Sequence, residues 1–154
     1  MQGLAEEEKR SLADALNELE AAKQRVVRDA KIASDDMKKQ LVEALLPVLD
    51  NLDRTIAAAE ASGDSPAVVE GVRLVRSQLE GVLRGYGVER IDALDREFDP
   101  ALHDAIATTP VPSVALHDTV VEQIVPGYRF NGSLLRPARV VVGRAQMAAE
   151  GAFA

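Results

Sequence analysis

The chain has 154 residues, 47% of them hydrophobic but only 3% aromatic, with no cysteine or tryptophan and a formal net charge of -7. The acidic balance argues against a phosphate-backbone ligand and the scarcity of aromatics removes base-stacking platforms, so nucleic acid is not an expected partner. Without cysteine, disulfides, thiolate metal sites and a cysteine nucleophile are all excluded.

The opening MQGLAEEEKR is acidic rather than basic-then-apolar, unlike a secretory signal, and no run of about 18 apolar residues is present to span a bilayer. A soluble cytoplasmic protein without a membrane partner is expected.

From Leu4 to Leu46 there is no proline, and apolar residues recur in alternating steps of four and three: Leu12, Leu16, Leu19, Val26, Ala30, Ala33, Met37. This is a heptad seam, interrupted once by Lys23. Beyond Met37 the steps lengthen to Leu41, Leu45 and Val48, a stutter that relaxes left-handed supercoiling. A seam so rich in alanine and carrying a lysine predicts a paired helix of marginal stability.

Pro47 then falls inside a continuing apolar pattern, where the helix is expected to kink or restart. Leu49, Leu52 and Ile56 carry the pattern on until Ser62-Gly63 stops it. Ser65 and Pro66 open a second helix at the N-cap and first helical position. Its stripe is Val68, Val72, Val75, Leu79, Val82 and Leu83. Two short amphipathic helices make half of a four-helix bundle, and a second copy is the economical cover for the exposed stripe. The expected homodimer interface is thus Leu12, Leu16, Leu19, Val26 and Met37 in the rod, with Leu45, Leu49, Leu52, Ile56, Val72, Val75, Leu79 and Val82 in the bundle. Gly71 and Gly81 each cost the second helix about 1 kcal/mol relative to alanine, which points to tight packing or to a partner's close approach.

After Gly87 the register changes. Val88 to Ile91 alternates as a short strand, Phe98-Asp99-Pro100 forms a turn, and His103 to Thr109 is of mixed character. Pro110 and Pro112 mark a loop, and Thr119 to Val125 alternates as a strand that Pro126-Gly127 turns. Asn131-Gly132 is a strong hairpin signal, because both residues tolerate the positive φ of a type I′ turn. Leu134-Leu135 and Val140 to Val142 flank Pro137, which must sit at an edge or bulge. The predicted fold class is therefore α+β. A long N-terminal paired, coiled-coil-like helix (1–46) leads to a helical hairpin (47–86) forming half of a dimeric four-helix bundle. A small C-terminal all-β domain (87–145) and a flexible tail (146–154) follow.

Catalytic candidates fail one by one. His103-Asp104 and His117-Asp118 are the only histidine-containing pairs, and no metal-ligand spacing connects them. His103 is expected to pack beside the Asp99-Pro100 turn and His117 to be a loop residue. Gly81, Gly85 and Gly87 fit no phosphate-binding loop, and Ser113 and Ser133 lack a nucleophile elbow. No enzyme activity, metal or cofactor is expected.

Four segments taken together, LLPVLDNLDRTI (Leu45–Ile56), EGVRLVRSQLEGVLRGYGVERID (Glu70–Asp92), FDPALHDAI (Phe98–Ile106) and GYRFNGSLLRPARVVV (Gly127–Val142), resemble the GrpE family. The resemblance runs in order from about residue 15 to residue 145. It implies a nucleotide exchange factor that binds the ATPase domain of a DnaK-type chaperone as a homodimer and favours its open cleft, so that ADP leaves. The contact residues it implies are Arg54 and Gly71 in the bundle and Phe98, Ile124 and Val142 in the β domain, with the hairpin residues Asn131, Gly132 and Ser133. Arg136 and Pro137 match the family's Arg-Pro-Ala, where shaping the last strand and touching the partner are both open roles. In the family pattern the residue after the Asn-Gly turn is typically Arg; here it is Ser133, so either Arg129 or Arg139 substitutes or the chaperone is bound less tightly. The short N-terminus lacks most of the family's polar tail, which puts in doubt any role tied to that tail, such as competing at the chaperone's substrate site. The family is also linked to heat sensing by reversible melting of the long helices, which a weak seam suits. The competing reading of the same features is a coiled-coil adaptor whose β domain binds some other partner.

Overall fold

The computed structural model describes residues 1–146, so all but the first residue of the tail predicted at 146–154 lies outside the described residues. The chain divides into two compact units, Met1–Leu41 and a second beginning at Val42. The first unit is purely helical. Every large apolar side chain of its seam, from Leu12 to Met37, is exposed, and its ion pairs are local ones such as Lys9–Glu6 and Lys38–Asp35.

Helix α1 spans Gln2–Ala61 and passes through Pro47. The restart expected at Pro47 does not occur, and the first short helix of the predicted hairpin is instead the last turns of α1. A proline inside a helix forfeits one ladder bond and crowds the carbonyl four residues back, at about 3 kcal/mol. Burial of Leu46 and Leu49 on either side offsets that penalty. The helix stops where glycine permits: Gly63 adopts φ 70°, and its N–H donates to Glu60 O while the Asp64 N–H donates to Ala59 O. These two bonds are the Schellman pattern.

Helix α2, Pro66–Gly85, begins as predicted with Pro66 in its first turn, but the Ser65 hydroxyl makes no capping bond. The Ser65 carbonyl accepts from Val68 and Val69 instead. The two helices are stitched by ion pairs from Arg73 to Glu60 and from Arg76 to Asp53.

Six strands follow among the described residues, in two three-stranded sheets: β1 (Val88–Ile91), β2 (His103–Val111), β3 (Val120–Val125), β4 (Gly127–Phe130), β5 (Ser133–Arg136) and β6 (Ala138–Ala145). One sheet has the order β1-β4-β5, all antiparallel. In the other, β6 lies between β2, which it pairs in parallel, and β3, which it pairs antiparallel. The stretch read as mixed character and a proline loop is thus a nine-residue strand. Pro110 is tolerated because β2 pairs with β6 alone, an edge position where a missing donor need break no ladder. Pro137 separates β5 from β6, the kind of break its ring demands.

Two apolar cores hold this unit. Val42, Leu46 and Leu49 of α1 and Leu83 of α2 bury against Val88, Tyr128 and Phe130 of the first sheet. Ala93, Val120, Ala138, Val140 and Val142 form the second, with Phe98 packed on it.

Candidate partner-binding surface

The last turns of α1 and the β3–β4 corner face one another across a groove of about 330 Å³, lined by Asp50, Asp53, Arg54, Ala57, Ile124, Val125 and Pro126. Asp50 and Arg54 are one turn apart and so share a helix face. Ile124 presents 47% of its surface from the opposite wall. Two of the residues implied as contacts, a cation and an apolar side chain 70 positions apart in sequence, are therefore brought to one site.

Beneath the groove lies a cation that the sequence could not place. Arg136, at the end of β5, donates Nη1 and Nη2 to the Asp50 carboxylate at 2.6 and 2.7 Å and Nε to the Pro126 carbonyl at 3.0 Å. Its guanidinium lies 5.2 Å from the centroid of the Tyr128 ring. Of the two roles left open for Arg136, the structural one has this support: three of its N–H groups are bonded to the chain's own helix and sheet. Asp50 is 86 residues away, with no local signal to announce the pair.

A second polar cluster sits nearby. Arg76 donates to Asp53 and Glu80. Burial alone would lower its pKa, but the hydrogen bond and charge of Asp53, with the charge of Glu80, hold it above the ordinary value. Burial pushes the Tyr128 phenol up to about 12, so it stays neutral. Its hydroxyl is the one buried side-chain polar atom without a hydrogen-bond partner among the described residues.

The hairpin tip is built as its residues demand. Asn131 and Gly132 have φ of 46° and 83°, the two positive values of a type I′ turn between Phe130 and Ser133. The Asn131 N–H donates to Gly87 O at 3.0 Å, and a Cβ on Gly87, itself at φ 91°, would meet the Asn131 side-chain oxygen. The tip is thereby tied to the corner between α2 and β1, and Ser133 is exposed beside it. Arg129 is half-buried and lies 3.9 Å from Glu89.

The remaining predicted contacts fall elsewhere. Gly71 is exposed on α2, and nothing stands within 4 Å of where a Cβ would be; the same holds for Gly81. Packing within this chain explains neither. Phe98 is half-buried against the second core, its ring 6.0 Å from that of His103. The buried His103 accepts the Asp99 N–H on Nδ1 at 2.9 Å, which secures the turn as expected. His117 is an exposed loop residue. Val142 differs from the others: at 1% exposure its side chain belongs to the sheet core.

The predicted dimer residues divide likewise. Leu12, Leu16, Leu19, Val26, Met37, Val75 and Val82 are exposed. Leu45, Leu52, Val72 and Leu79 are half-buried. Leu49 and Ile56 are buried within the single chain, Leu49 completely. A heptad pattern cannot separate a leucine that meets a partner helix from one that meets its own β domain.

Comparison with known proteins is consistent over most of the chain. The profile of the GrpE family matches residues 1–144. The chain is 37% identical to Protein GrpE of Alcanivorax borkumensis over 143 residues, covering 92% of this chain and 73% of that one. It is 40% identical to that of Saccharophagus degradans over 132 residues (85% and 68%) and 36% identical to that of Rhodopirellula baltica over 145 (92% and 72%). With the four sequence segments in order and a long helix, a second helix and a β region behind them, the chain belongs to the GrpE family of co-chaperones.

Proposed function

We propose that this chain is a nucleotide exchange factor that binds the ATPase domain of a DnaK-type chaperone in the cytoplasm and speeds ADP release, without chemistry of its own. The observation that carries the reading is the groove that sets Arg54 on a helix wall opposite Ile124 on a β wall. A surface with one rigid helical side and one β side can grip a single lobe of a cleft from two directions. If it fits the open cleft better than the closed one, binding shifts the population toward open, and by linkage ADP weakens the factor's hold. Release of labelled ADP from the chaperone tests this directly. Acceleration that saturates with this protein is expected; none at saturating concentration would leave the adaptor reading.

The working species in this proposal is a homodimer. What supports it is the uncovered seam from Leu12 to Met37 and the exposed Val68, Val75 and Val82 at seven-residue spacing on α2. Sedimentation at micromolar concentration should return twice the chain mass, and a monomer would remove the dimer from the mechanism. The exposed, alanine-rich seam also favours a heat-sensing role. Circular dichroism should then resolve a low-temperature helical transition apart from loss of the β domain, and a single cooperative transition would sink that role.

A further inference from the structure

We propose that Arg136 is a positioning residue for exchange: it braces the groove between Arg54 and Ile124 in the geometry that the chaperone engages. The inference rests on the exchange-factor reading above.

The brace works in three directions at once. Two guanidinium nitrogens hold Asp50 on α1, the third holds the Pro126 carbonyl at the β3–β4 corner, and Cζ lies over the Tyr128 ring in β4. Asp50 and Pro126 are themselves groove-lining residues, one on each wall. Arg54 follows Asp50 by one helical turn, and Ile124, near the end of strand β3, precedes Pro126 by two residues. A shift of either anchor therefore moves an implied contact. Both partners of the ion pair are about three-quarters covered, with side chains 24% and 21% exposed. A bidentate, charge-assisted pair in such a setting fixes orientation as well as distance, which a single-point ammonium cannot do.

Arg136 is not what keeps the β region attached. The burial of Leu46 and Leu49 against Tyr128 and Phe130 already does that. Loss of the guanidinium should thus leave the fold standing and let the two walls rock. The fraction of molecules with a competent groove then falls, and the apparent dissociation constant rises by the inverse of that fraction.

Because the chain has no cysteine, paired spin labels can be introduced cleanly at the exposed Thr55→Cys on α1 and Glu122→Cys on β3. The spread of label separations and the stimulation of ADP release are then measured for the parent, Arg136→Met and Arg136→Lys. Expected for Arg136→Met are a broadened separation, a half-maximal concentration raised about tenfold, and a maximal rate close to the parent's. Arg136→Lys should fall between. Parental separations, or a parental half-maximal concentration, in Arg136→Met would overturn the proposal. Should Arg136→Met fail to fold, the same two readings on Arg136→Lys decide by the same criteria. If the parent itself does not speed ADP release, the exchange reading fails, and the label separations alone judge the brace.

Discussion

The two units of this chain use the same apolar residues to opposite ends. In Met1–Leu41 the leucines and valines of the seam all face solvent, and the ion pairs join neighbours on one helix. From Val42 onward residues of the same types build two cores, and some ion pairs, such as Arg136–Asp50 and Arg76–Asp53, join segments far apart in sequence. One unit is held by its own tertiary contacts. The other has none, and an isolated helix with a thin seam draws its stability from whatever covers that seam. The difference teaches that a heptad pattern is a statement about one face of a helix, not about what meets it.

Two leucines test this most severely. Leu49 is completely buried, so Leu49→Ala should cost the second unit about 3–5 kcal/mol in urea unfolding through lost burial and the cavity left behind. Leu16→Ala, in the exposed seam, should move that same transition by less than about 0.5 kcal/mol. It should instead weaken concentration-dependent helicity. Equal losses from both would erase the contrast.

Glycines give the next largest effect. A Cβ on Gly127 would stand 2.7 Å from the Ala138 backbone nitrogen, which cannot step aside. Gly127→Ala should cost about 1–3 kcal/mol by overpacking. Gly71 faces open space within a helix, so Gly71→Ala should stabilise α2 by about 1 kcal/mol. If the chaperone approaches there, the same change weakens binding while stability rises. Stability and affinity rising together would remove Gly71 from the surface.

How much of this was legible beforehand follows from the range of each signal. The Asn131-Gly132 turn, the Gly63 stop and the β1 strand are set by neighbours in sequence, and they stand where the residues put them. The passage of α1 through Pro47 was not legible, because the burial that overrides proline comes from strands some 80 residues later. Strand β2 was obscured because two prolines and little alternation mask an edge strand paired in parallel. At the groove, family motifs pointed to Arg54 and Ile124. The same carry-over named Val142, which is buried, since a motif match does not reveal burial. Arg136 was visible as a motif but its partner was not: nothing near Asp50 marks it as the far end of an ion pair.

A smaller effect depends on pH. Burial lowers the pKa of His103 below its ordinary 6.5; Asp99 opposes the shift and Arg96 adds to it. The unfolded chain therefore binds the proton more readily than the folded one. The stability that neutral His103 secures is complete above about pH 6.5 and is lost as pH falls through the folded value. Protonation also converts the Nδ1 acceptor of the Asp99 N–H into a donor. The urea midpoint should fall between pH 7 and pH 5, and His103→Gln should flatten that slope. An unchanged slope would assign it to the carboxylates.

The smallest expected change probes where the two polar clusters meet. The Tyr128 ring carries the first core and lies beneath Arg136, yet its hydroxyl has no partner. An unpaired buried donor is a liability of about 1–3 kcal/mol. Tyr128→Phe keeps the ring and removes only the oxygen, so stability should be unchanged or should rise by up to about 1 kcal/mol. The charges of Arg76, Glu80, Asp53 and Arg136 all act on this phenol. A loss exceeding about 1 kcal/mol in Tyr128→Phe would mean the hydroxyl is hydrogen-bonded after all, and that the ion cluster between the helices and the brace under the groove are one continuous network.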